Sequence, residues 1–219
     1  MTSAVGAVGA TDAVGVVDAP ERPPGEDDHP PASAGRGHPT AWWGMMVLII
    51  TEATIFACLL ASYFFLAAAA KEWPPEGVEP QELERIALFT VILLGSSIPI
   101  FWAEAGIKKG NVRRLEIGLL ISFAMGATFL VNSWLEYQEL HFGARDHAYG
   151  SIFYTITGLH GLHVLIGLII NLVVQLKAQL GRLSAERHLT ASVFGLYWHF
   201  VDVVWIFVFS SLYIAPHFT

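Results

Sequence analysis

WWGMMVLIITEATIFACLLASYFFLAAA, Trp42–Ala69, is the stretch whose reading decides the fold. Glu52 is its only charged side chain. As a helix rising 1.5 Å per residue it outruns the roughly 30 Å of a bilayer hydrocarbon core. A soluble core would scatter its apolar residues at a period of 3.6 or 2, whereas here they run on continuously. Four more such runs follow at Leu83–Ala105, Leu115–Tyr137, Tyr149–Leu176 and Leu189–Ala215. Backbone N–H and C=O groups in lipid must be satisfied within the protein, so only helices or closed barrels cross, and unbroken runs of this length are helices. The expected fold is all-α, an integral membrane bundle of five transmembrane helices within residues 41–219.

Composition agrees. Of 219 residues, 54% are hydrophobic and 14% charged, against roughly 45–50% and about 25% for an average soluble domain. The net charge of −7 removes the electrostatic footprint that nucleic acid requires. Cys58 is the single cysteine, so neither a disulfide framework nor a cysteine-type zinc site can be built.

Residues 1–40 read as a disordered tail rich in Gly, Ala, Pro and Asp, with Asp12, Asp18, Glu21, Glu26, Asp27 and Asp28 against Arg22 and Arg36. Its start lacks the basic region and unbroken apolar core of a signal peptide, so the first membrane helix is expected to direct insertion. The connections are short and carry turn signals: Lys71 to Gly77, Lys108 to Asn111, Gly143 and Gly150. Consecutive helices are therefore antiparallel. One side carries Arg22, Arg36, Lys108, Lys109, Arg113, Arg114, Lys177, Arg182 and Arg187; the other carries Lys71, Arg85 and Arg145. Nine cations against three place the N-terminus in the cytoplasm and the C-terminus outside. Trp42, Trp43, Trp73, Trp102 and Tyr213 fall near the helix ends, as interfacial anchors do.

Several polar residues lie inside the apolar runs. Ionising Glu52 in mid-membrane is costly, and two readings stand side by side: an acid that handles protons or contacts lipid, or a neutral acid hydrogen-bonded nearby, for instance to Thr51 or Thr54. His160 and His163 lie three apart on the fourth helix, and with His199 they raise a metal site as one reading. The other reading is structural: Thr157 and Gly161 form a small-xxx-small step that admits a close helix, across which histidine hydrogen-bonds. His199 and Asp202, also three apart, can pair and neutralise a buried charge. Glu136 near the end of the third helix reads as a solvated interfacial carboxylate. Pro99 is the one proline well inside a run, and Ser96 and Ser97 lack a nucleophile's sequence setting. An independent intramembrane enzyme or carrier using Glu52, His160, His163 and His199 remains the reading from another class.

The chain resembles subunit III of the haem–copper oxidases, the cytochrome c oxidase type. The resemblance rests on Thr51-Glu52, Trp73-Pro74-Pro75, Trp134 to Tyr137, Tyr149-Gly150-Ser151, Thr157 to Val164 and Tyr197 to Trp205, all in order. It implies a subunit without catalytic residues, metal or other cofactor of its own, packed against subunit I alongside subunit II. Haem and copper would reside in those partners. It further implies bound phospholipid, support of proton uptake by subunit I during reduction of oxygen to water, protection of the catalytic centre in turnover, and a bacterial plasma membrane as location. Larger members have seven helices, and this chain resembles the five-helix form that lacks the first two. Glu52 matches the family's carbodiimide-reactive intramembrane carboxylate, and His188 a histidine on the lipid and proton-entry side. Trp73, Glu136, His160, His163, His199 and Asp202 match family motif positions of structural or lipid-related character. Ser192 departs from a common Glu, and Glu104-Ala105 from a pair of His. The Trp-Pro-Pro loop favours a cytochrome c oxidase over a quinol oxidase; a nitric oxide reductase accessory subunit is the further alternative within the family.

Overall fold

The computed structural model describes residues 39–75, 78 and 83–217. Apart from Pro39 and Thr40, the tail expected over residues 1–40 lies outside them. The elements are α1 (Thr40–Ala69), α2 (Leu83–Gly95), α3 (Ser97–Ile107), α4 (Val112–Glu139), α5 (Ala148–Gln179) and α6 (Leu189–Phe209), the last continued by a π-helical turn (Ser210–Ile214) and a 3-10 turn (Ala215–His217). The protein has five helical segments long and apolar enough to span a membrane: Thr40–Ala69, Leu83–Ile107, Val112–Glu139, Ala148–Gln179 and Leu189–Ile214.

α2 and α3 are two halves of one span, interrupted at Ser96. The cause is local. Pro99 has no N–H to return to the carbonyl of Gly95, and its ring crowds that carbonyl. Ser96 still donates its N–H to Ile92 and Leu93 at 3.1 and 3.0 Å, so the turn stays closed up to the break.

The helices run a little past the apolar stretches because polar caps satisfy their ends. The Asn111 side chain accepts the Arg114 N–H at 3.0 Å and starts α4 before Leu115. The His147 Nδ1 accepts the Gly150 N–H at 2.8 Å and starts α5 before Tyr149. α5 ends on Gly181 at φ +66°, with Gly181 N–H bonding to Ala178 and Arg182 N–H to Lys177, the paired bonds of a left-handed C-terminal cap.

α6 is the hub, in contact with α1, α2, α3 and α5. Trp198 on α6 has no exposed surface. Its ring lies against Gly126 of α4 and Gly167 of α5, where a Cβ would come within 2.7 and 2.8 Å of the indole. Gly118 does the same for α3, since a Cβ there would sit 2.5 Å from the Pro99 carbonyl. Gly118, Gly126 and Gly167 are therefore points of close helix approach. The step expected at Thr157 and Gly161 does not serve this way: a Cβ on Gly161 would meet nothing nearer than Leu130 at 3.8 Å. Small residues admit close packing only on the face that another helix happens to approach.

α1 is the least enclosed helix, burying only Phe56 and Tyr63, seven residues apart, against the bundle. Phe65, Val47 and Ile50 stand exposed on it, as do Ile98, Val91 and Phe207 elsewhere. Such an apolar exterior suits lipid as solvent.

Gly126→Ala or Gly167→Ala forces a methyl into the rigid Trp198 ring. Each is expected to cost about 1–3 kcal/mol, seen as earlier unfolding in a detergent thermal-shift series. Gly161→Ala in the same series should show no loss.

Candidate functional site

Glu52 faces α5. Its Oε2 lies 3.1 Å from the Nε2 of His163, whose own Nδ1 lies 2.8 Å from the Leu159 carbonyl. A carbonyl only accepts, so Nδ1 carries a hydrogen, and Nε2 of a neutral ring is then an acceptor. The hydrogen between the two residues therefore comes from Glu52, or has passed to the ring to leave a carboxylate beside an imidazolium. Either way the pair is neutral overall, which suits a site in the membrane. The partners expected from sequence are otherwise engaged: Thr51 and Thr54 donate to the carbonyls of Leu48 and Ile50, both at 2.8 Å. Hydroxyls on a helix readily fold back onto the preceding turn.

The three intramembrane histidines face three different environments. His160 is 1% exposed, stacked on Trp205 at 4.6 Å with the edges of Phe129 and Phe56 around it, and neither ring nitrogen reaches a hydrogen-bond partner among the described residues. His163 meets Glu52. His199 stacks on Phe101 at 4.0 Å and brings its Nδ1 to 2.8 Å from the Ser97 hydroxyl. Among the described residues no three His, Cys, Asp or Glu side chains converge as a metal ion would need. The constellation of Glu52, His160, His163 and His199 thus divides into a pair and two separate rings. Hydrogen bonding across helices holds for His163 and His199 and not for His160.

His199 and Asp202 do not bond to each other. Both bond to Ser97 of α3, whose hydroxyl oxygen lies 2.5 Å from Asp202 Oδ2 and 2.8 Å from His199 Nδ1. Three residues apart on a helix, two side chains lie on adjoining flanks; a third group between them joins both more easily than they join each other. The neighbouring Ser96 accepts the Trp198 indole N–H at 2.8 Å. Neither serine was legible as a ligand of α6 from sequence; the one signal was their place just ahead of Pro99.

Glu136 is partly buried and accepts the Tyr213 hydroxyl at 3.3 Å, where the end of α4 meets the π-helical turn. Beside it Arg85 donates to Asn132 at 3.0 Å and pairs with Glu139 at 2.5 Å. Tyr137 donates to Thr157 at 2.7 Å, because the Thr157 hydrogen is committed to the Phe153 carbonyl. Trp73, in a loop with a cis peptide bond to Pro74, packs edge-on against Tyr63 of α1 and Tyr149 of α5 at 5.4 and 5.2 Å. At the opposite end His188 precedes α6, with Nδ1 2.5 Å from the Ala185 carbonyl. Glu104 lies within electrostatic reach of His188 and Lys108, its carboxyl set over Gly195, where a Cβ would clash with it.

A model of the family described as cytochrome c oxidase subunit III matches residues 37–216. Cytochrome c oxidase subunit 3 of Thermostichus vulcanus is 40% identical over 176 residues, covering 80% of this chain and 87% of the relative. The proteins of the same name from Locusta migratoria and Equus caballus are 36% and 35% identical over 177 residues, covering 78% of this chain and 67% and 68% of theirs.

Substitutions that break the Glu52–His163 pair test its energetics. Glu52→Ala and His163→Ala should each destabilise the bundle, and the double variant should be less destabilised than the sum by about 0.6 and at most ~1.7 kcal/mol, the range for hydrogen bonds between membrane helices. A denaturation cycle in mild detergent reads the coupling; strict additivity would show that the two side chains do not interact.

Proposed function

This chain belongs to the cytochrome c oxidase subunit III family, the non-catalytic subunit of haem–copper oxidases, and we propose from that premise that it works by shaping the surroundings of the catalytic subunit, subunit I. It is a multi-pass membrane protein of an oxidase complex. In the reading proposed, haem and copper in subunits I and II reduce oxygen to water with electrons from cytochrome c. This chain packs beside subunit I in a bacterial plasma membrane, N-terminus inside, holds phospholipid along the exposed flank of α1, and keeps protons arriving fast enough for turnover.

The Glu52–His163 contact carries this reading. It places a protonatable pair that is neutral overall on the helix least enclosed by its own chain, where a neighbouring subunit or lipid can lie against it. Within such a pair a proton can pass between acid and base without creating a net charge in hydrocarbon. Trp73, Glu136, His160, His199 and Asp202 are assigned to holding the helices in register, and His188 to the proton-entry side.

Oxidase prepared without this chain should show an unaltered initial rate of electron transfer and a working lifetime shortened several-fold. Oxygen consumption followed over many turnovers measures both. Full activity sustained throughout would end the proposed role. A haem spectrum and mass spectrometry of the partners retained in mild detergent separate a cytochrome c oxidase from a quinol oxidase or a nitric oxide reductase assembly.

A further inference from the structure

Ser97, His199 and Asp202 meet at the break in the second span, near the middle of both α2–α3 and α6. Asp202 is 5% exposed. The Ser97 oxygen makes two hydrogen bonds, one to a carboxyl oxygen and one to a ring nitrogen, and each needs its own hydrogen. Serine supplies one. The second sits on Asp202 or on His199 Nδ1.

Charge decides where. With the hydrogen on His199 Nδ1 and the carboxyl ionised, a neutral ring leaves a bare anion in hydrocarbon. That state calls for a cation, and among the described residues the groups around the site offer none. From α3 the group that faces the acid is the uncharged hydroxyl of Ser97. Glu52 of α1 is engaged with His163 of α5, and His160 of α5 lies against Trp205. Glu104 of α3 lies over Gly195 toward Lys108 and His188, well along the span from Asp202. Glu136 of α4 is held by Tyr213 near the other end, beside Arg85 of α2. A buried ion pair with His199 as imidazolium leaves both charges partly unsatisfied, because Asp202 Oδ1 and His199 Nε2 reach no partner among the described residues, so it lies above the neutral arrangement and is not the resting state.

We propose that Ser97, His199 and Asp202 form an intramembrane proton-binding site, in which one proton resides on Asp202 and the Ser97 hydroxyl relays it to His199. The relay balances without an outside reactant. The Asp202 O–H bond breaks as a new O–H bond forms on Ser97; the original Ser97 O–H bond breaks as an N–H bond forms on His199 Nδ1. The carboxyl loses a proton, the ring gains one, and the serine is unchanged. Phe101 stacked on the ring keeps His199 Nδ1 aimed at the hydroxyl. The site is separate from the Glu52–His163 pair and stands on its own geometry.

Infrared spectra of the assembled oxidase test this. Asp202→Asn should remove a protonated-carboxyl band present in the wild type. Ser97→Ala should shift that band to higher frequency, because the carboxyl loses its hydrogen bond, and Ser97→Thr should restore the wild-type position. If Asp202→Asn fails to assemble, carbon-13 labelling of aspartate with the Ser97→Ala difference spectrum assigns the same band. An Asp202 that is ionised in the resting enzyme would overturn the site, and a band indifferent to Ser97→Ala would overturn the relay.

Discussion

The indole of Trp198 holds the bundle together. It is wedged between Gly126 and Gly167, so α4, α5 and α6 close on one rigid ring. Its N–H must still find an acceptor, because hydrocarbon offers none. Ser96 supplies it, and Ser96 stands where it does because Pro99 interrupts the second span. A packing interaction and a backbone defect are thus tied by one hydrogen bond. Trp205 repeats the device two turns along the same face, donating to Thr90 of α2 at 3.0 Å.

The interior polar groups follow a common rule set by the cost of charge in lipid. Asn171 donates to Ser122 and to the Leu119 carbonyl, joining α5 to α4 with no net charge. Glu52 answers His163, so the acid and the base share their proton within one pair. Among the described residues the fully charged pair, Arg85 with Glu139, sits at the end of the spans, where both partners keep some exposure. Neutral networks lie deep and ionic ones near the ends, as the dielectric gradient across a bilayer requires.

α1 differs from the other helices in how it is held. Packing supplies Phe56 and Tyr63, the loop supplies Trp73 over Tyr63, and Glu52 supplies one polar contact. Met45, Leu59, Leu60 and Leu66 pack part-buried beside them, and the far side of the helix is apolar and open. A helix attached by so few contacts depends on what lies against its other side, which for a member of an oxidase complex is lipid or a neighbouring subunit. The shape of the site and the assembly of the complex are therefore linked through this helix.

Some of this was readable from residues in order along the chain. Continuous apolar runs such as Trp42–Ala69 imposed five spanning helices, since length and backbone satisfaction in lipid leave no other solution. The isolated Glu52 marked itself as a group in need of a partner for the same reason. Which partner was another matter. Thr51 and Thr54 were near in sequence but turned back to their own helix, while His163 lay 111 residues away. His199 and Asp202 had the spacing of a direct pair, yet Ser97 from another span stands between them. Glu136 looked solvated because nothing local showed that Tyr213 would reach it. Hydropathy is a sum along one segment and survives without neighbours. A hydrogen bond between helices depends on the rotation and depth of each, and those are set by glycines meeting a tryptophan and by one proline's missing N–H, contacts that exist only once the bundle has closed.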